Sequence, residues 1–193
     1  MAMVETKNLR PKGMPSFLGN SFFLIGYRIF VKYRTSYGKR LRGLYILKSE
    51  TNKKKMEFLG NLFTHYRYTT TDIQTETTNN QKTILSRQSK FILQINTTPN
   101  EVGLPPSSPF QEWKEARRFA GPLPFTFSYN EKEQSVLIIQ GVRQNWTPHP
   151  IEVSHYEFNF INKLNLEGIR LANAFEIKDV PYHWKKGIKD QWK

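Results

Sequence analysis

The region Leu59 to Ile73 is the densest in reactive side chains, and within it stands the run His65-Tyr66-Arg67-Tyr68. It follows a stretch with helical spacing and opens one with strand character, and such a junction exposes side chains at the end of a sheet, where pockets form. An imidazole there can act as acid, base or donor. A guanidinium receives a carboxylate through two parallel hydrogen bonds, and the phenols add further donors. The plainer alternative is that Tyr66 and Tyr68 are strand aromatics and Arg67 a solvent-facing partner. Arg28 is the second candidate. It alternates with Phe22, Leu24 and Phe30 along an apolar segment. If that face points inward, the cation needs a carboxylate from the protein or from a ligand; an internal ion pair or an outward orientation is the competing account. Lys48 stands at the end of the neighbouring strand.

Much other chemistry has no support in the residues. The chain has 193 residues and no cysteine, which removes disulfide frameworks, thiolate metal sites and thiol nucleophiles. His65, His149, His155 and His183 lack metal-site spacing, so no metal is expected. No glycine-rich phosphate loop and no Gly-x-Ser-x-Gly elbow occurs, so no cofactor is expected.

Charge is uneven. Residues 1–90 carry 17 Lys/Arg against 5 Asp/Glu, whereas residues 91–193 carry 12 against 11. A basic half fits either a nucleic-acid partner or a well-solvated surface. The second is favoured, since no recognised nucleic-acid motif accompanies the charge. Lys53-Lys54-Lys55 stands at a predicted helix start, where cations oppose the helix dipole. No apolar run is long enough to span a bilayer and no leader pattern opens the chain, so a cytoplasmic protein without membrane association is expected.

These side chains must be positioned mainly by strands. The 14 Phe and 9 Tyr favour sheet. Strands are predicted at 1–7, 21–34 and 40–49, the last two joined by a hairpin loop around Gly38. In the third strand Arg42, Leu44, Ile46 and Lys48 share one face. A helix follows Glu50, with Met56, Leu59, Leu62 and Phe63 at helical spacing. Strand character returns at 66–71 and continues in places to 78. Two offset segments follow at 83–97. Arg10 to Pro15 and Pro99 to Ser107 read as loops. Ser108-Pro109-Phe110-Gln111 predicts a second helix, with Ser108 as its cap, ending before Gly121-Pro122. Further strands are predicted at 125–129, 134–145, 150–158 and 171–178. About nine strands and two main helices make an α+β, mainly β fold, and a single domain of antiparallel barrel-like or sandwich form.

The segment Arg40 to Thr51, followed by Leu59-Gly60-Asn61-Leu62-Phe63-Thr64-His65-Tyr66-Arg67-Tyr68, resembles the YqjF-like family of uncharacterised bacterial proteins. Val142 to Val153, with its Pro-His-Pro, and Ala174 to Ile188, with Pro181-Tyr182-His183-Trp184, are similar to that family's closing strands. The resemblance implies the acetoacetate decarboxylase-like superfamily, an antiparallel barrel-like sheet around a cavity. The decarboxylases carry a Schiff-base lysine at the helix-to-strand junction, and residues 64–68 hold none. Arginine stays protonated and cannot form the imine, so decarboxylation by that route is not expected. The resemblance also implies that family strands preceding residues 1–7 are missing. That would leave a sheet edge open and invite a homodimer.

The function expected from all this is binding of a small carboxylic or keto acid inside the barrel, with Arg28, Lys48, His65, Tyr66, Arg67 and Tyr68 as the ligand-binding set. An enzyme of unknown reaction using His65 or Tyr68 in the same pocket, and a basic protein associating with nucleic acid, are the alternatives.

Overall fold

The computed structural model describes residues 1–9, 19–98, 102–119 and 123–192. The loop expected at Arg10 to Pro15, the first residues of the proline-rich run and the Gly121-Pro122 stop lie outside them. In chain order the elements are β1 (Ala2–Leu9), β2 (Asn20–Arg34), β3 (Arg40–Thr51), α1 (Lys54–Thr64), β4 (Tyr68–Thr70), β5 (Gln74–Thr77), β6 (Gln81–Ser86) and β7 (Phe91–Asn96). Then come α2 (Trp113–Ala116) with a 3-10 turn (Arg117–Phe119), β8 (Phe125–Asn130), β9 (Ser135–Arg143), β10 (His149–Pro150), β11 (Val153–Phe158) and α3 (Asn159–Asn162). The last are β12 (Phe175–Glu176), β13 (Tyr182–Trp184) and β14 (Ile188–Gln191).

Strands dominate, as the aromatic content predicts. The chain divides into two compact units. The first comprises Met1–Thr71, Leu123–Val142 and Tyr182–Lys193. It holds an eight-stranded sheet ordered β1-β2-β3-β8-β9-β13, with β14 on β9 and β4 on β3. β3 runs parallel to β4 and β8, while β1–β2, β2–β3, β8–β9 and β9–β14 are antiparallel. The second unit, Asp72–Pro122 and Arg143–Pro181, holds a four-stranded sheet β11-β7-β6-β5 and the small pair β10-β12. There Asp72 fastens the β6–β7 turn: its Oδ1 accepts from Ser86 Oγ at 2.5 Å and from the Gln88 amide at 3.1 Å.

Among the described residues no sheet closes into a barrel, which corrects the barrel-like expectation. The parallel β3–β8 junction joins two antiparallel ribbons side by side and leaves β1 at an end of the strand order. Among the described residues the helices are three rather than two, and only α1 is longer than four residues. Ser108 does behave as a cap locally, because its Oγ accepts the Phe110 amide at 3.1 Å. The helix nevertheless starts only at Trp113, since the same hydroxyl also donates to the Ala172 carbonyl at 2.6 Å and holds the segment as a turn. No helix among the described residues is long and apolar enough to cross a membrane.

Both faces of the large sheet are packed. One carries Ile46, Tyr66, Tyr68, Leu137 and Ile139, with Leu24 and Met56 against them. The other carries Tyr33, Leu41, Phe127, Val136 and Ile138, with Val31, Tyr45, Phe125 and Tyr129. Side chains of this size each contribute roughly 1.5–3 kcal/mol when fully buried, so this two-sided packing holds the first unit together. α1 presents Gly60 and Thr64 inward. A Cβ at Gly60 would collide with the Tyr68 ring, so only glycine lets the helix approach so closely. Of the apolar stripe of the sequence only Met56 packs inward; Leu59, Leu62 and Phe63 are exposed, as is Phe58.

Candidate functional site

The six expected residues all lie in the first unit, but in three separate places. A bulge in the β2–β3 ladder explains the first separation. Tyr27 pairs with Lys48 and Arg28 with Ile46, so Leu47 is the extra residue. One inserted residue flips the alternation. Lys48 therefore shares a face with Tyr27, not with Ile46 and Arg28 as strict alternation predicts.

On the Tyr27 face, Glu50 is completely buried, at 0% exposure. Its Oε1 accepts from Lys48 Nζ at 2.6 Å and its Oε2 from the Tyr27 hydroxyl at 3.3 Å. Burial, followed by the charge and hydrogen bond of Glu50, pushes the Tyr27 hydroxyl well above the usual phenol range, so it remains a donor. A buried carboxylate needs partners on both oxygens, and this one has them. The arrangement explains Lys48 as an internal ion pair.

On the opposite face, Arg28 is half-buried. Its side chain folds back along β2 over Gly26, where an added Cβ would stand 3.8 Å from its Nε. Its strand partner Ile46 packs with Tyr66 and Tyr68. Both tyrosines are buried, with ring centroids 6.2 Å apart, and the Tyr66 hydroxyl bonds the Thr126 hydroxyl. Their rings pack into the sheet.

His65 and Arg67 occupy the third place. α1 ends at His65 in the left-handed conformation, φ 53°, and Arg67 repeats it at 55°. A left-handed residue is common where a helix ends, as at His65, but uncommon for arginine, and at Arg67 it persists only where the surroundings fix it. Here Asn61 fixes it: its side chain donates to the Tyr68 carbonyl at 2.9 Å and accepts the Tyr68 amide at 2.6 Å. One turn earlier, Glu57 Oε2 accepts the Thr70 amide at 2.8 Å. The helix thus clamps β4, and the two kinked residues between them turn outward while Tyr66 and Tyr68 turn inward.

His65 and Arg67 line an open hollow of about 450 Å³ together with Asn61, Tyr129, Asn130, Glu131 and Lys132. Arg67 Nη2 lies 3.8 Å from Glu131 Oε1, both side chains being exposed, so that pair is weak. Nearby Glu133 is held below the usual carboxylate range, chiefly by its hydrogen bond from Lys189, with the His65 charge a lesser contribution. The hollow therefore offers a guanidinium, an imidazole and an ammonium against one exposed carboxylate. Among the described residues no cluster of acidic and histidine side chains could hold a metal.

Sequence reading missed Asn61, Glu57 and Glu50. The first two carry a signal in retrospect, polar residues four apart within the apolar run Met56 to Phe63. Nothing local marks Glu50.

The family model DUF2071, described as an uncharacterized conserved protein (COG2071), matches residues 2–184. No curated protein matches the chain, and no solved structure does.

Proposed function

The chain belongs to the DUF2071 family, and from that premise we propose that it binds a small carboxylic or keto acid in the hollow at the end of α1. The observation that carries this reading is the pair of left-handed residues, His65 and Arg67, both lining that hollow. Strain of this kind concentrates where side chains are held for a ligand. The Arg67 guanidinium receives the carboxylate in place of the distant Glu131, and His65 supplies a further hydrogen bond. The hollow is open to solvent and, at about 450 Å³, has room for a ligand of that size.

A relationship to the acetoacetate decarboxylases is part of the same proposal, supported by the junction at residues 59–68 that carries the resemblance. The lysine-free stretch 64–68 supports binding there without a Schiff base. A homodimer through the β1 edge is proposed on the strength of that strand's terminal place in the sheet. A light-scattering mass of one chain at micromolar concentration would remove it.

The test is a thermal-shift screen against small carboxylic and keto acids, with Arg67→Ala and Arg28→Ala alongside. A ligand at about 100 times its Kd stabilises the native state by roughly 2.7 kcal/mol, a shift of several degrees. The shift should vanish in Arg67→Ala and persist in Arg28→Ala. The reverse pattern would move the site to the sheet face beside Ile46, and no shift with any acid would end the acid-binding reading.

A further inference from the structure

Between Glu5 and Glu50 the sequence contains no Asp or Glu. The fold gathers four of the cations in that span at one place. In the β2–β3 ladder Lys32 stands directly opposite Arg42, and Arg34 directly opposite Arg40. All four are exposed, while Tyr33 and Leu41, which alternate with them, are buried on the other face. Side chains directly opposite stand about 5 Å apart, and those two residues apart on one strand about 7 Å. The result is a two-by-two array of positive charge. Like charges placed directly opposite each other destabilise a sheet. Among the described residues none of the four is in an ion pair.

The array cannot relax by slipping. A one-residue shift would bury the cations and expose Tyr33 and Leu41. The tip is also tied down: Tyr33 Oη and Ser36 Oγ each donate to Asp190 at 2.5 Å, and the Ser36 amide does so at 3.0 Å. Next along the same face, Phe30 is 57% exposed. An ordinary solvated surface intersperses both signs of charge and leaves few large aromatics outside. This face does neither.

We propose that the outward face of the β2–β3 ribbon binds single-stranded nucleic acid. Lys32, Arg34, Arg40 and Arg42 follow the phosphates, and Phe30 is a platform for an unstacked base. The aromatic decides for a single strand over a duplex, because only splayed bases offer a face to stack on. The phosphates supply the negative charge whose absence makes the ladder register costly. This surface shares no residue with the hollow of His65 and Arg67, so either reading can fail without the other.

Fluorescence anisotropy of a labelled oligothymidylate of about 20 nucleotides, longer than one such site needs, tests the proposal on the whole chain. The chain should bind it more tightly than a duplex of equal length. Each phosphate contact adds about −0.7 to the slope of log affinity against log salt, so Arg40→Ser/Arg42→Ser should flatten that slope by about 1.4. Phe30→Ala should weaken binding roughly tenfold or more. Circular dichroism and melting of both variants establish that they fold, and the double variant should melt no lower than the parent. Failure to bind the oligonucleotide, an unchanged salt slope in the folded double variant, or capture by phosphatidylserine vesicles alone would each overturn the proposal.

Discussion

At one end of the β2–β3 ribbon Glu50 is sealed from solvent with Lys48 and Tyr27 on its two oxygens. At the other end Lys32, Arg34, Arg40 and Arg42 face outward with no carboxylate among them. The two ends belong to the same pair of strands and obey different physics. Inside, a charge must be matched within hydrogen-bond reach, so finding Lys48 beside Glu50 says that the core is satisfied and nothing about a ligand. Outside, water solvates each cation separately, and nothing in folding requires four of them in register. An unmatched arrangement is therefore informative only where it is exposed. Asp190 links the two regimes. It is buried, yet it fastens the exposed hairpin through Tyr33 and Ser36.

The comparison breaks most visibly at Lys48. Lys48→Met leaves Glu50 buried with only Tyr27, and should cost about 3 kcal/mol in urea unfolding. That is the low end of the range for a broken buried pair, because the Lys48 side chain is 29% exposed. A cost below about 1 kcal/mol would mean that water, not Lys48, satisfies the carboxylate.

Asp190→Asn comes next, at about 2 kcal/mol near neutral pH, from hydrogen bonds to a charged acceptor. Burial alone would raise the Asp190 carboxyl, but hydrogen bonds from Ser36 and Tyr33 outweigh it and hold the group below its usual range. A depressed carboxylate contributes its stability above the unfolded pKa, near 4, and loses it as pH falls through the folded value. Parent and variant should therefore differ at neutral pH, and the gap should begin to close near pH 4 and vanish only below the depressed folded value. A constant gap across that window would show that the carboxylate charge is irrelevant.

Gly60→Ala tests the opposite face of the sheet. A Cβ there runs into the Tyr68 ring, and overpacking of this kind costs about 1–2 kcal/mol despite the better helix propensity of alanine. An unchanged denaturation midpoint would mean that α1 can lift off β4. The smallest effect has the opposite sign. Arg42→Thr removes a like-charged neighbour of Lys32 and should stabilise the fold by a few tenths of a kcal/mol, about 1 °C in melting temperature. A decrease would show that Arg42 has a stabilising contact.

The elements were legible where local composition sets them. Residues 20–34 and 40–51 are aromatic and β-branched, and Gly38, at φ 87°, marks the turn between them. The helix after Glu50 was legible from its spacing, yet its direction was not. Periodicity groups Met56, Leu59, Leu62 and Phe63, but it does not say which side packs, and only Met56 of the four does. Gly60 and Thr64 took the inner side because the Tyr68 ring leaves room for nothing larger. The bulge at Leu47 carries no glycine or proline to announce it, so strict alternation placed Lys48 on the wrong face. Asp190 reaches residues more than 150 positions away in sequence, beyond the range of any local pattern. The candidate site was legible in part for the same reason. His65 and Arg67 were found from their junction, but the inward turn of Tyr66 and Tyr68 depends on the Asn61 clamp.

The location of the acid site is tested most directly by amide chemical-shift mapping, titrating the labelled protein with whichever keto or carboxylic acid raises its melting temperature. Saturable shifts are expected at Asn61, His65, Arg67, Tyr129 and Asn130, with Arg28 and Lys48 unaffected. Shifts centred on Arg28 and Ile46, with the α1–β4 junction silent, would contradict it.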